Sequence, residues 1–234
     1  MSKLTKKEKI IQEKLDPNLS YSVDEAMEIL QSVKSEKFDE SVDISVKLGV
    51  DPNKSDQNVR GAVTLPNSLG KEVVVAVFAD GDNASAAEKA GADFVGMDDL
   101  AEKFTKEEIS VDVVISTNAA MKVVGKLGQV LGPKGLMPNP KTGTVSDDVV
   151  SAIKNVKAGQ VRFRTDKNGI IHGCIGKVSF EASKIKANAS ALLEELKKLK
   201  PASAKGVFIG SISINSTMGP VSYTHLRAHE TVVH

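Results

Sequence analysis

The sequence has few of the residues that disulfide, metal and membrane-spanning proteins require. It holds one cysteine, no tryptophan, two tyrosines and seven phenylalanines in 234 residues. The single Cys174 excludes an intramolecular disulfide and a multi-cysteine metal site, and we expect a small buried apolar residue rather than a reactive thiol. No apolar run approaches the roughly 18 residues of a membrane helix, and the basic N-terminus leads into no apolar signal core. The sequence therefore predicts a cytosolic protein.

Motifs for nucleotide binding and catalysis are also missing. The glycine-rich segment 125–135 has no closing Gly-Lys-Ser/Thr, and the turn at 79–83 lacks the dinucleotide spacing of three glycines. His172 is the only histidine before residue 225, and a lone histidine on a strand more often packs or hydrogen-bonds than catalyses. We therefore predict a protein that is not an enzyme and binds no cofactor or metal. The competing hypothesis, an α/β enzyme, would need a phosphate loop or a catalytic set within 68–158.

Charge is distributed unevenly along the chain. The net charge is +1, but residues 160–220 carry 10 Lys+Arg against 4 Asp+Glu, whereas the preceding segments 1–66 and 67–159 are each slightly acidic. A basic segment of this kind is either a phosphate-facing surface or a solvated, lysine-rich helix face. Charge alone does not decide between these two interpretations.

Hydrophobic periodicity predicts mixed helices and half-buried strands at both ends of the chain. The segments before residue 68 are a short exposed helix over 3–14, a helix from the capping box of Ser22 and Glu25 to Val33, and strands over 38–48 and 59–65. The segments after residue 158 are strands over 161–164 and 170–175 around the Asn168-Gly169 hairpin signal, a helix over 183–200 and a strand over 207–214.

The middle of the chain has a different pattern. Continuous apolar runs at 73–78 and 111–115 are typical of strands covered on both faces. Helices are predicted over 84–90, 98–104, 118–126 and 146–156, with a short apolar segment at 94–96. Strands that alternate with helices indicate a parallel sheet layered by helices. The two ends would then form one domain and the middle another, joined by linkers near 66–70 and 156–160 that act as a double hinge.

Candidate nucleic-acid contacts lie mainly toward the C-terminal end. Arg162 and Arg164 are two apart on a strand and should point to one face, which Lys167 in the adjoining turn extends. Thr217-Met218-Gly219 offers a hydroxyl, an apolar tip and an approachable backbone, which suit RNA backbone and 2′-hydroxyl contacts. Phe38 could stack on a base, although burial is the more common fate of such a residue.

Several long strings resemble one protein family in order along the chain. They are Lys37-Phe-Asp-Glu-Ser41, Leu48-Gly-Val-Asp-Pro52, Ser55-Asp-Gln-Asn-Val-Arg-Gly61, Lys89-Ala-Gly-Ala-Asp-Phe-Val-Gly96, Leu131-Gly-Pro-Lys-Gly-Leu-Met-Pro-Asn-Pro-Lys141 and Ser216-Thr-Met-Gly-Pro220. Together these strings resemble the bacterial uL1 family of large-subunit ribosomal proteins over about residues 3–220.

The resemblance implies a fold of mixed α+β and α/β class with two domains. One is a discontinuous, split β-α-β RNA-binding domain of residues 1–67 plus 159–220, and the other is an inserted, Rossmann-like three-layer α/β domain of residues 68–158. It also implies binding to the large-subunit rRNA stalk beside the tRNA exit site, help in releasing deacylated tRNA, and repression of translation through the protein's own operon mRNA. Off the ribosome the protein would be a monomer.

The family's RNA contacts can be carried over residue by residue. They correspond to Lys37, Phe38, Glu40, Ser41, Arg164, Asp166, Lys167, His172, Thr217, Met218 and Gly219. The resemblance favours an RNA-facing role for Phe38 over burial. The loop from Gly132 to Lys141 is similar to the family's second-domain loop, and its Lys134 and Lys141 are candidate auxiliary contacts to rRNA or tRNA.

The chain departs from the family after Pro220. Residues 221–234 hold three of the four histidines and resemble nothing in the family. We interpret this atypical tail as non-native, so the helical spacing of His225 and His229 does not indicate a metal site.

Overall fold

The computed structural model describes residues 21–34, 38–70, 73–106, 109–204 and 206–224, with isolated positions before residue 21. The helix predicted over 3–14 falls almost entirely outside the described residues, and so do Lys37, His225 and His229. Contacts divide the chain into two compact units. Unit 1 combines residues up to Leu69 with those from Phe163 onward, and unit 2 is Gly70–Arg162.

The described chain contains both helices and strands. In order they are α1 (Val23–Val33), β1 (Ser41–Leu48), β2 (Arg60–Thr64), β3 (Val75–Phe78), α2 (Gly81–Lys89), β4 (Phe94–Gly96), α3 (Asp98–Thr105), β5 (Val113–Ser116), α4 (Met121–Lys126), α5 (Gly128–Leu131), α6 (Val149–Lys157), β6 (Gln160–Arg164), β7 (Ile170–Lys177), α7 (Ala182–Lys198), β8 (Ile209–Ser216) and β9 (Val221–Thr224). This mixture of α and β elements confirms the predicted general fold class.

The first helix begins where the capping box predicts. The Ser22 hydroxyl accepts the Glu25 N–H at 3.2 Å, and the Glu25 carboxylate accepts the Ser22 N–H at 2.8 Å. Two N–H groups at the start of α1 are thereby satisfied. Hydrogen bonds from Ser22 to the Glu25 carboxylate, chiefly the bond from its backbone N–H, lower the pKa of Glu25.

A four-stranded sheet of order β7-β1-β8-β9 forms the centre of unit 1. Strands β7 and β8 flank β1 and run antiparallel to it. Alternate residues of β1 are fully buried, and α1 and α7 pack against one side of the sheet. This is the pattern of an antiparallel sheet with one face in the core and the other toward solvent.

The predicted hairpin at Asn168-Gly169 is a turn, but its two arms lie in different sheets. β6 pairs with β2, whereas β7 pairs with β1, and only an isolated bridge between Thr165 and Ile171 joins the arms. The Thr165 N–H and hydroxyl both donate to the Val59 carbonyl oxygen, which draws the chain away from β7. Gly169 has a φ of +76°, which explains the glycine in this turn.

Unit 2 contains a parallel sheet of order β4-β3-β5 with helices on both faces. Successive residues of β3 alternate between two apolar clusters, so Val75 and Val77 pack with α2 and α6, while Ala76 and Phe78 pack with α3, α4 and α5. All four residues of β3 are buried. A strand covered on both faces explains the continuous apolar run in the sequence.

Strand β9 was not predicted from the sequence. It pairs antiparallel with β8, with Val221 opposite Asn215 and Ser222 opposite Ile214. The first four residues of the atypical segment therefore extend the sheet of unit 1. None of the helices in the described part of the chain is long and apolar enough to cross a membrane.

Candidate nucleic-acid interface

One group of predicted RNA contacts meets where β1 begins and β8 ends. The two strands are antiparallel, with Val42 opposite Ser216, so the residues before β1 adjoin those after β8. We call this group the strand-end cluster, and its members are Phe38, Glu40, Ser41, Thr217, Met218 and Gly219. The two halves of the cluster, residues 38–41 and 217–219, are more than 170 positions apart in the sequence, so the sheet pairing is what brings them together.

Reciprocal hydrogen bonds lock the two sides of the strand-end cluster. The Ser41 N–H donates to the Thr217 hydroxyl oxygen at 3.2 Å, and the Thr217 N–H donates to the Ser41 carbonyl oxygen at 3.2 Å. The Thr217 hydroxyl accepts in this bond and so keeps its own proton to donate. An exposed, oriented donor of this kind suits a phosphate or 2′-hydroxyl oxygen.

Two large apolar side chains of the strand-end cluster face solvent. Phe38 is 49% exposed and Met218 is 59% exposed, so the alternative that Phe38 is buried in the core is wrong. Exposed apolar side chains beside hydrogen-bonding groups are a common feature of single-stranded RNA sites, where bases stack on them.

Glu40 lies behind this surface rather than on it. It is 1% exposed, and its carboxylate oxygen Oε2 accepts the Ser216 hydroxyl at 2.5 Å and the Met218 N–H at 3.3 Å. Gly219 closes the turn, and a Cβ there would lie 2.2 Å from Ser216 Oγ and 3.0 Å from Leu30 Cδ2. A larger residue at 219 would therefore displace the Ser216 hydroxyl.

The remaining described candidates of unit 1 surround the turn between β6 and β7. We call Arg164, Asp166, Lys167 and His172 the turn cluster. The Asp166 carboxylate accepts the N–H groups of Asn168 and Ile170 at 2.8 and 2.9 Å. These bonds order the turn that carries Lys167, and the bond from Ile170 is the largest cause of a lowered pKa of Asp166.

His172 connects the turn cluster to β1. Its Nδ1 lies 3.1 Å from the hydroxyl of Ser45, the residue opposite it on β1, and its Nε2 lies 3.5 Å from Asp166 Oδ2. Ser45 is four residues along β1 from Ser41, a separation of about 13 Å. Both clusters therefore lie within reach of one extended ligand on unit 1.

The two arginines of β6 have different surroundings. Arg164 and Lys167 are exposed. Arg162 is half-buried and donates from Nη2 to the Asp112 carbonyl oxygen at 2.9 Å, and burial lowers its pKa. The expectation that both arginines extend one open basic face is therefore wrong, because Arg162 is engaged within unit 2.

The solvent-facing side of the sheet joins the two clusters. The half-buried polar residues Asp43, Ser45, Ser213 and Asn215 lie on adjacent strands between them. Sequence analysis did not single out these residues or Ser216. The alternation of β1 and β8 was a usable signal, since it assigns every second residue to the open face.

The end of the candidate loop of unit 2 is held by hydrogen bonds between Asn139 and Thr144, which lies just beyond the loop. The Asn139 N–H donates to the Thr144 hydroxyl at 2.8 Å, and the Thr144 carbonyl accepts the Ser116 N–H at the end of β5. Lys134 is exposed on this loop, and Lys141 lies in the short 3-10 helix Pro140–Thr142.

In the part of the chain that the structure describes, neither Cys174 nor any acidic or histidine cluster suggests another kind of site. Cys174 is half-buried, its thiol lies 3.5 Å from the Gly176 carbonyl oxygen, and burial raises its pKa. A raised thiol pKa disfavours the reactive thiolate. Among the described residues, no group of three or more His, Cys, Asp or Glu could hold a metal ion.

Comparison with known proteins identifies the class of protein that carries this site. A family model described as "Ribosomal protein L1p/L10e family" matches residues 30–220. The chain therefore belongs to this family of ribosomal proteins. The match ends immediately before β9.

Relatives match over nearly the full length of both chains. The "Large ribosomal subunit protein uL1" of Saccharophagus degradans is 60% identical over 220 residues, covering 94% of this chain and 95% of the relative. The proteins of the same name from Methylococcus capsulatus and Cellvibrio japonicus are 60% and 58% identical with the same coverage.

Proposed function

We propose that this protein is a structural constituent of the large ribosomal subunit and binds the rRNA stalk through unit 1. In this proposal residues 1–67 and 159–220 form the RNA-binding domain, and residues 68–158 form an inserted domain. Family membership and the names of the relatives support the assignment to the large subunit. The protein acts by binding and has no catalytic role.

The strand-end cluster is the observation that carries the proposal. It combines an oriented hydroxyl at Thr217, a fixed backbone turn and the exposed side chains of Phe38 and Met218. Such groups can bind the sugar-phosphate backbone and stack on a base without reading a long sequence. RNA shape, held in register by these hydrogen bonds, would then be the basis of recognition.

Cationic residues of the turn cluster would add long-range attraction. Arg164 at the end of β6 and Lys167 in the turn that follows it are both exposed. Each phosphate neutralised by a cation contributes about 0.9 to the slope of log affinity against log salt for a duplex, and about 0.7 for a single strand. Electrostatic attraction would therefore increase the rate of association with RNA, while the strand-end cluster would determine which RNA shape is bound.

The inserted domain would serve the neighbouring tRNA. We propose that the protein assists release of deacylated tRNA from the exit site, and that Lys134 and Lys141 are auxiliary contacts to rRNA or tRNA. Hydrogen bonds between Asn139 and the following residues Thr142 and Thr144 would fix the end of the loop that carries Lys141. Linkers near 66–70 and 156–160 would let this domain move while unit 1 stays bound.

The same site would also serve regulation. We propose that unit 1 binds the protein's own operon mRNA where that mRNA imitates the rRNA site, and so represses translation. The two RNAs would compete, since both need the strand-end cluster. A monomeric protein is sufficient for this mechanism.

The test is RNA binding by the full chain and by Thr217→Ala and Met218→Ala variants. The probe is a fragment of the large-subunit rRNA stalk, titrated at two salt concentrations. We expect each substitution to weaken binding by about tenfold, or about 1.4 kcal/mol, with no change in the salt slope because neither residue is charged.

Matched controls separate site effects from general effects. Thr105→Ala removes an exposed threonine of unit 2 whose hydroxyl donates only locally, to the Ala101 carbonyl, and Val207→Ala shortens a side chain that is 71% exposed. Both controls should bind like the wild type. Weak, wholly salt-dependent binding that is indifferent to Thr217 and Met218 would show that the basic surface is a solvated face and not a specific site.

A further inference from the structure

We infer that Glu40 and Ser216 form a buried pair that positions the turn Thr217–Gly219 for RNA and does not itself contact RNA. The inference rests on the proposed function, because it assigns roles within the same site. It changes the expectation for Glu40, which the family resemblance places among the RNA contacts.

The geometry of the pair is that of a strong internal hydrogen bond. Glu40 and Ser216 are 1% and 2% exposed, and the Ser216 hydroxyl donates to Glu40 Oε2 at 2.5 Å. Distances of about 2.5–2.7 Å are typical of a hydroxyl that donates to an ionised carboxylate, and such bonds are roughly twice as strong as neutral ones. The pair is therefore a firm internal connection between the start of β1 and the end of β8.

The same carboxylate oxygen also fixes the turn directly. It accepts the Met218 N–H at 3.3 Å. The backbone of Glu40 is itself anchored, since its carbonyl oxygen accepts the Val178 N–H at 2.9 Å. The turn is thus attached to a side chain that is held at the junction of β1 with the end of β7.

Consecutive amides of the turn are all used inside the protein. The Thr217 N–H donates to Ser41, the Met218 N–H to Glu40 and the Gly219 N–H to Ser216. The groups that face solvent are the Thr217 hydroxyl and the Met218 side chain. A turn ordered before binding loses less conformational entropy when RNA arrives, and this raises affinity without adding a contact.

A direct contact between Glu40 and RNA is the competing interpretation. It would bring a carboxylate toward phosphates and would require its bonds to Ser216 and Met218 to break. Leaving such buried donors unsatisfied is unfavourable. The structure therefore favours an indirect role.

The experiment combines a double-mutant cycle with amide hydrogen exchange. Full-length wild type, Glu40→Ala, Ser216→Ala, the double variant and Glu40→Gln are titrated with the rRNA stalk fragment. Exchange of the Met218 amide is measured in the same proteins without RNA. Ser116→Ala is the control, because it removes an equally buried serine hydroxyl in unit 2.

Each alanine variant should bind RNA about tenfold more weakly, and the double variant should also lose about tenfold rather than a hundredfold, because the two residues act as a unit. The Met218 amide hydrogen should exchange about tenfold faster in Glu40→Ala, since the turn opens more readily when this amide has lost its acceptor. Glu40→Gln keeps the shape and an acceptor oxygen, so it should remain within about threefold of wild type in affinity.

Two results would overturn the inference. One is additive loss in the double variant. The other is a Glu40→Gln protein that binds as weakly as Glu40→Ala while its Met218 amide stays protected, because the carboxylate charge would then act on RNA directly. Failure of the proposed function is visible separately, since the wild type itself would not bind the stalk RNA, whereas the exchange of Met218 still reports whether the pair holds the turn.

Discussion

Gly219→Ala tests whether the shape of the turn determines RNA binding. The added Cβ would lie 2.2 Å from Ser216 Oγ and 3.0 Å from Leu30 Cδ2, and real Cβ atoms do not approach other atoms as closely as the first distance. The Ser216 hydroxyl would have to leave its bond with Glu40. Overpacking of this kind lowers the free energy of unfolding by about 1–3 kcal/mol. Because the turn would also move, we expect RNA affinity to fall at least tenfold.

Two measurements are made on each protein, thermal unfolding and titration with the stalk RNA. Two further variants serve as controls. Gly125→Ala adds a methyl group within α4 where nothing lies within 4 Å, so it should be neutral or slightly stabilising. Ser216→Ala in the Gly219→Ala background removes the nearest clashing atom, so the double variant should be less destabilised than the sum of the two single variants. A Gly219→Ala protein that unfolds and binds RNA like the wild type would refute the reasoning.

Three further predictions concern stability in unit 1. Asn188→Ala should lower the free energy of unfolding by about 1–3 kcal/mol, because this buried amide forms hydrogen bonds with Asn67 and the Ile175 carbonyl. Denaturant unfolding measures this loss, and the control Asn83→Ala, changed at an exposed helix position, should be nearly as stable as the wild type. Ser22→Ala should cost about 1 kcal/mol through the lost cap of α1, and an unchanged unfolding midpoint would argue against the capping box. The pKa of Asp166 is lowered from 3.8, so its hydrogen bonds stabilise the fold above that pH, and this stabilisation is lost as the pH falls through the lowered pKa. In a pH series of thermal unfolding, the difference in melting temperature between wild type and Asp166→Asn should therefore shrink below pH 3.8. A difference that is independent of pH would contradict this assignment.

Local patterns predicted most elements because each carries its own periodicity. The capping box of Ser22 and Glu25, the alternation in β1 and the continuous apolar run of β3 each specify one element and its buried face. These signals depend on neighbours within a few residues. Helices such as α7 follow the same logic, although the buried polar Asn188 on its apolar face depends on a partner 121 positions away.

Pairings between distant segments could not be predicted in this way. The Asn168-Gly169 signal correctly indicates a turn, but nothing local shows that Thr165 bonds to Val59 and diverts β6 toward β2. The fate of Arg162 likewise depends on a carbonyl 50 positions away.

The candidate site shows the same limit. Thr217, Met218 and Phe38 were candidates on their chemistry alone, and the family resemblance then favoured an RNA-facing role for Phe38 over burial. The burial of Glu40 and its bond to Ser216 follow from the pairing of β1 with β8 across 176 positions. The sequence therefore identified the segments that form the candidate site, whereas the antiparallel pairing of β1 with β8 determined which of their side chains face outward.

Mapping of the RNA on the protein by NMR tests the central claim most directly. Amide signals of the full chain would be followed as the rRNA stalk fragment is added. The account predicts the largest changes at residues 38–41, 164–172 and 217–219, with smaller ones in unit 2. Changes confined to unit 2, or spread evenly over its exposed lysines while the strand-end cluster stays unaffected, would contradict it.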